Sequence, residues 1–130
     1  LPHLIARCPV PIALDETLRE IAPDELGRYQ GAEALVLKPT LMGGFETCSR
    51  FAQAGASLGM KSVVSACYES GVGIYALGRF AASLDIIGAA GLDTYSQIQK
   101  DLLMTRLPLE SYTFCSSSPI PCVNESALLD

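Results

Sequence analysis

The chain contains short apolar runs, each of which ends in polar or charged side chains. Four such runs span residues 10–14, 34–37, 61–67 and 86–93, and the last of them is the weakest. A run of this length, bounded by polar residues or proline, is too short for a helix. It is typical of a parallel strand that is buried on both faces of a sheet. The pattern therefore predicts four parallel strands.

Segments with helical periodicity separate these runs. Apolar residues recur at helical spacing in 45–59 and in 70–84, whereas Pro23 interrupts the pattern at 19–26, where one or two short helices fit best. The polar ends of successive strands lie 23, 27 and 28 residues apart. A strand, a loop and a helix that recur at this interval form a βα unit. Since a (β/α)8 barrel takes about 250 residues, we interpret this α/β chain as the second half of such a barrel.

Composition excludes several classes of function. The 130 residues carry a net charge of −5 and a pI near 4.7, which argues against nucleic acid as a partner. No apolar stretch approaches the roughly 18 residues that indicate a membrane span. The five cysteines include no C-x-x-C pair, so neither a disulfide framework nor a zinc site is expected. The chain begins at Leu1, and we expect it to be processed or to be part of a longer protein.

Two charged residues, Asp15 and Lys38, stand at the ends of the first two predicted strands, where α/β proteins keep their chemistry. A carboxylate at this place is a natural ligand for Mg²⁺, although Asp15 could equally cap the helix that follows it. A lysine that closes an apolar strand needs a polar cavity or a partner. We expect burial to lower its pKa, as suits a base or a Schiff-base nucleophile. The alternative is a lysine whose ammonium group reaches solvent.

A third group of candidates follows the next two strands. After Ser65 and Ala66 the chain is predicted to enter a helix near Ser70, whose free amides would hold a substrate carboxylate. Helix capping by the two serines is the competing interpretation. Gly91 and Asp93 could close the same pocket, although an aspartate here is more often a cap.

These segments, taken together, resemble the o-succinylbenzoate synthase branch of the enolase superfamily. The matching stretches are 11–17, 35–44, 63–73 and 91–94, and their order and spacing agree with barrel strands five to eight. The likeness includes bacterial menaquinone-pathway enzymes and the synthase module of the multifunctional phylloquinone-pathway protein of plants and algae. It covers residues 5–104. We therefore expect a partial barrel over 1–107 and a tail over 108–130 that lies outside the resemblance.

The resemblance implies a chemistry. The family removes water from 2-succinyl-6-hydroxy-2,4-cyclohexadiene-1-carboxylate with the help of Mg²⁺, and o-succinylbenzoate is the product. It implies that Asp15 is a metal ligand and that the charge of Lys38 stabilises the anion formed when the α-proton leaves. The substrate-binding positions that it implies are Ser65, Ala66, Gly91 and Asp93.

The family's base and its first two carboxylate ligands have no counterpart in this chain. We therefore expect a partial enzyme, inactive until it joins the missing N-terminal half of the barrel, in bacterial cytoplasm or the plastid stroma. Three alternatives stay open: an N-succinylamino acid racemase, a Schiff-base aldolase that uses Lys38, and a non-catalytic half-barrel.

Overall fold

The computed structural model of the protein describes residues 1–84, 89–108 and 120–128. Strands β1 (Ala13–Leu14), β2 (Ala34–Leu37) and β3 (Lys61–Val64) form one parallel sheet in the order β1–β2–β3. Just beyond β3, Ser65 makes a parallel bridge to Gly91. The predicted parallel arrangement is therefore confirmed for these strands. Residues 86–88 of the predicted fourth strand lie outside the described residues.

Helices connect these strands in the predicted βα order. The α-helices among the described residues are α1 (Pro2–Ile5), α2 (Pro39–Met42), α3 (Phe45–Ser57) and α4 (Gly71–Ser83). Short 3-10 helices span Glu16–Arg19, Pro23–Tyr29, Asp93–Gln97 and Glu125–Leu128. Two short 3-10 helices thus follow β1, as the interruption at Pro23 predicts, because a proline fits the first turn of a helix and breaks its interior.

The first strand is shorter than predicted. Only Ala13 and Leu14 pair with β2, while Val10 is 65% exposed and lies outside the sheet. Pro11 has no backbone N–H to donate to a ladder, which is one reason why the apolar run begins before the strand does.

Burial alternates along β2, so the expectation of burial on both faces is wrong there. Leu35 and Leu37 are fully buried, whereas Ala34 and Val36 are only partly so. Helix α3 packs against the leucine face so closely that a Cβ added to Gly55 would lie 2.5 Å from Leu35 Cδ1. The other face carries small side chains and is only partly covered by the described residues. Alternation of this kind belongs to a strand with one covered face.

The segment after Gly91 packs back on the sheet and on the chain's last described residues. An antiparallel bridge joins Leu103 to Val123. The amide of Asn124 donates to the Leu102 carbonyl at 2.7 Å, and the Met104 amide to the Cys122 carbonyl at 3.0 Å. The boundary at residue 108 stays a prediction. Across the described ranges, no helix is both long enough and apolar enough to cross a membrane.

Candidate active site

Asp15 and Lys38 meet at the C-terminal edge of the sheet. Lys38 Nζ donates to Asp15 Oδ2 at 2.6 Å, across 23 residues of sequence. The two side chains are 18% (lysine) and 34% (aspartate) exposed. The Asp15 side chain makes no capping bond to the 3-10 helix that follows, and the ammonium group of Lys38 is largely withdrawn from solvent. The geometry thus favours a paired site over capping and over a solvated lysine.

The contact with Asp15 determines the direction in which the pKa of Lys38 shifts. The hydrogen bond to Asp15 raises the pKa of Lys38 and outweighs burial, which acts in the opposite direction. The charge of Glu16, whose Oε1 lies 3.9 Å from Nζ, adds to the rise. The expectation that burial would lower this pKa is therefore wrong, because a carboxylate within hydrogen-bonding distance favours the charged form. A lysine held as an ammonium ion suits electrostatic stabilisation better than nucleophilic attack.

Two further groups at this edge were missed by sequence reasoning. One is Glu16, which is 77% exposed yet near the ammonium group of Lys38. The other is Cys67, a free and partly buried thiol. Burial and the charge of Glu69 raise the pKa of Cys67, while the charge of Lys38 acts against that rise. The sequence holds one signal for Cys67, which lies two residues after Ser65. In an extended chain, side chains two residues apart point to the same side.

The predicted substrate-binding positions continue this edge. Lys38 directly follows β2 and Ser65 directly follows β3, and the two strands end level because Leu37 pairs with Val64. Ser65 in turn bridges to Gly91. The Ser65 hydroxyl donates to the Gly91 carbonyl at 3.5 Å, and the Ala66 amide donates to the same carbonyl at 2.8 Å. A Cβ on Gly91 would lie 3.1 Å from Ser65 Oγ, so there is little room for a side chain at this position.

Ala66 and Asp93 differ in their access to a ligand. The Ala66 side chain is buried, with 5% of the residue exposed. Asp93 is exposed in the first turn of its 3-10 helix. The structure therefore places Ser65, Ala66 and Gly91 together beside Lys38, and it places Asp93 at the outer margin of this group.

The start of α4 does not offer the free amide that its sequence predicts. The Gly71 amide donates to Asp101 Oδ1 at 2.7 Å, so a carboxylate of the chain itself occupies the position proposed for a substrate. Ser70 makes no side-chain capping bond to α4 either. The Tyr95 hydroxyl donates to the other oxygen of Asp101. The helix is thus capped by Asp101, which lies 30 positions beyond Gly71 in sequence. No local sequence pattern shows such a cap.

The described residues do not by themselves fit a magnesium ion. They contain no group of three or more histidine, cysteine, aspartate or glutamate side chains that could hold a metal. Asp15 supplies one carboxylate, and one of its two oxygens already accepts a hydrogen bond from Lys38. Mg²⁺ needs near-octahedral oxygen coordination at short distances, which one engaged carboxylate cannot organise.

Solved structures define the class of this fold. N-succinyl Arg/Lys racemase from Bacillus cereus matches 98% of the chain with a TM-score of 0.80 and 22% identity, and the match covers 35% of the racemase. Muconate cycloisomerase from Pseudomonas fluorescens matches 98% of the chain with a TM-score of 0.79 and 21% identity, covering 37% of that enzyme. The chain therefore has the fold of part of an enolase-superfamily (β/α)8 barrel, as predicted.

Sequence relatives indicate which enzymes of this fold the chain resembles. The o-succinylbenzoate synthase of Citrobacter koseri is 37% identical over 121 residues, which are 92% of this chain and 34% of that enzyme. The synthase of Yersinia pestis is 35% identical over 94 residues, 72% of this chain and 29% of the enzyme. Protein PHYLLO, chloroplastic, of Arabidopsis thaliana is 33% identical over 118 residues, 75% of this chain and 7% of that protein. No protein-family profile matches the chain.

The resemblance of the chain to the o-succinylbenzoate synthases is confirmed, and its fold is that of part of an enolase-superfamily barrel. The chain spans about a third of the length of the bacterial synthases that it matches.

Proposed function

We propose that this chain is the C-terminal part of an o-succinylbenzoate synthase. The reaction is the dehydration of 2-succinyl-6-hydroxy-2,4-cyclohexadiene-1-carboxylate to o-succinylbenzoate in menaquinone or phylloquinone biosynthesis. The observation that carries the proposal is the 2.6 Å ion pair of Lys38 and Asp15, at the strand ends where the synthase pattern requires a lysine and a carboxylate. The named relatives support it. The setting we expect is bacterial cytoplasm or the plastid stroma.

Lys38 is the residue of this chain that acts on the reacting atoms. A base outside this chain removes the α-proton, and negative charge then spreads onto the substrate carboxylate. The Lys38 ammonium group stabilises that charge and keeps its own proton throughout, because Asp15 raises the pKa of the lysine. The ring hydroxyl then leaves as water, taking the proton that the base had removed, and the ring becomes aromatic.

The remaining predicted residues shape the pocket. Ser65, Ala66 and Gly91 are small and lie together. We propose that they bound the space that takes the succinyl side chain of the substrate. Asp93 is exposed at the outer margin of this group of residues, where it would contact only the outer end of the succinyl side chain. We propose that Asp15 contributes one carboxylate to a Mg²⁺ site whose other ligands come from outside this chain.

An assay of the full-length protein tests this function. We expect dehydration of the cyclohexadiene carboxylate, followed as the appearance of aromatic absorbance, and little racemisation of N-succinylamino acids followed by polarimetry. Racemisation without dehydration would replace the proposal with the racemase alternative. The isolated 130-residue chain with Mg²⁺ should be inactive, and dehydration by it would refute the need for a second half.

Borohydride trapping with a carbonyl substrate tests the aldolase alternative. A Schiff base forms only from a neutral amine, and the pKa of Lys38 is raised, not lowered, by the hydrogen bond to Asp15. We therefore expect no adduct on Lys38 near neutral pH. A mass increase on the peptide that contains Lys38 would contradict the electrostatic role.

A further inference from the structure

Glu69 joins two loops at the edge of the sheet that carries the candidate site. The Thr40 hydroxyl donates to Glu69 Oε1 at 2.5 Å, across 29 residues of sequence. The Cys67 amide donates to the other oxygen, Oε2, also at 2.5 Å. One carboxylate therefore bonds both the loop after β2 and the loop after β3. A carboxylate has two oxygens that can each accept a hydrogen bond, so one side chain can link two loops.

The bond to Thr40 reaches Lys38 through a single helical turn. Lys38 is the N-cap residue of α2, and its carbonyl accepts hydrogen bonds from the amides of Leu41 and Met42 at 2.9 and 3.0 Å. Thr40 lies inside that turn. Because these bonds join Lys38 and Thr40 in one turn, we expect a tether on Thr40 to restrain the backbone from which the Lys38 side chain extends.

The second bond shapes the loop that follows Ser65. Between Cys67 and Glu69, Tyr68 adopts a left-handed conformation with φ of 62°, which is rare for an aromatic residue and needs support from its surroundings. The bond from the Cys67 amide to Glu69 closes the chain around Tyr68. Glu69 is also seated against the first turn of α4, since a Cβ on Gly73 would lie 2.6 Å from Glu69 Cβ.

We propose that Glu69 is a positioning residue that holds the Lys38 turn at a fixed distance from the Ser65 loop. It does not touch the reacting atoms. Its effect on catalysis rests on the proposed synthase function, whereas its effect on the two loops does not. Small errors in the placement of a catalytic group are costly, so loosening this link should reduce turnover more than binding.

Four variants of the full-length protein test the link. Glu69→Gln leaves one accepting oxygen for two donors, and Thr40→Val removes the hydroxyl from the opposite side. Thr40→Ser keeps the hydroxyl and serves as the rescue. Glu25→Gln is the matched control, because Glu25 likewise accepts a backbone amide, that of Ala22 at 2.9 Å, but lies in a different part of the fold.

Amide hydrogen exchange provides a readout that is independent of activity. We expect Thr40→Val to speed exchange in residues 67–70, on the far side of the link, and Glu69→Gln to speed exchange in 38–42. Thr40→Ser and Glu25→Gln should leave both segments as in the wild type. Exchange that changes only beside the substituted residue would overturn the proposal.

Kinetics provide the second readout. We expect Glu69→Gln and Thr40→Val to lower kcat roughly ten- to a hundredfold with little change in KM, and Thr40→Ser to restore it. A rise in KM at unchanged kcat would show that Glu69 contributes to binding, and would overturn the positioning role. If the wild-type protein lacks synthase activity, the proposed function fails, and the hydrogen-exchange result still decides whether Glu69 couples the loops.

Discussion

The carboxylate of Asp101 fastens the segment after Gly91 to the start of α4, and Asp101→Asn should weaken this attachment in a pH-dependent way. Asp101 Oδ1 accepts hydrogen bonds from the Gly71 amide at 2.7 Å and the Leu102 amide at 2.8 Å. The other oxygen accepts one from the Tyr95 hydroxyl. Asparagine has the same shape and retains one accepting oxygen, but it loses the charge and cannot accept the tyrosine proton at its NH2 group.

The magnitude follows from these three bonds. Turning two charge-assisted bonds into neutral ones costs about 1 kcal/mol each, and the lost bond from Tyr95 costs about as much again. Asp101 is partly exposed, and water reduces each contribution. We therefore expect Asp101→Asn to lower the free energy of unfolding by about 2 kcal/mol at neutral pH.

The pH dependence has a definite sign. Burial acts to raise the pKa of Asp101, but the bonds from Tyr95, Gly71 and Leu102 and the charge of Arg106 together lower it below its ordinary value. A carboxylate with a lowered folded-state pKa stabilises the fold above its unfolded pKa of about 3.9, and that stability is lost as the pH falls through the folded pKa. The deficit of Asp101→Asn should accordingly shrink below about pH 4.

Urea unfolding of the full-length protein, followed by circular dichroism between pH 7 and pH 3, measures this difference. Asp93→Asn is the matched control, since Asp93 is exposed in the same segment, and it should change stability by no more than about 0.5 kcal/mol. A deficit for Asp101→Asn that stays constant over the whole range would show that the charge of Asp101 is not its source, and would refute the reasoning.

Other predictions concern packing and thiol chemistry. Gly55→Ala should destabilise the protein by about 1–3 kcal/mol in thermal unfolding, because the added Cβ would clash with Leu35. Gly27→Ala is the control and should be neutral or stabilising, because no atom lies within 4 Å of its added Cβ. Equal effects of the two substitutions would contradict the close approach of α3 and β2. Burial raises the pKa of Cys48 to about 11, so iodoacetamide at pH 8 should label exposed Cys122 and leave Cys48 unmodified by mass spectrometry. Rapid labelling of Cys48 would show that α3 opens readily.

Much of the site follows from local patterns in the sequence. Parallel strands that end in charged residues bring those residues to one edge, which is why Asp15 and Lys38 are expected at the same edge of the sheet. Their short contact agrees with that inference. The division into two short helices near Pro23 is likewise a local property, because proline interrupts a helix wherever the helix packs.

Other features depend on tertiary contacts that no local pattern encodes. An apolar run of four residues cannot reveal whether one or both faces are covered, and β2 turned out to alternate between Leu35 and Val36. The rise in the Lys38 pKa depends on the distance to Asp15, which the sequence does not contain. The bond between Gly71 and Asp101 joins residues that pack together only in the folded chain.

The most direct test of the central claim compares two lysines in the full-length protein. Lys38 and Lys61 each form an ion pair of 2.6 Å, one at the C-terminal edge of the sheet with Asp15 and the other at the opposite end with Glu33. We predict that Lys38→Ala lowers the kcat of dehydration by roughly a hundredfold or more, as expected for loss of a charge that stabilises the transition state, and that Lys61→Ala leaves it near the wild-type value. Equal rates for the two variants would contradict a catalytic role for Lys38.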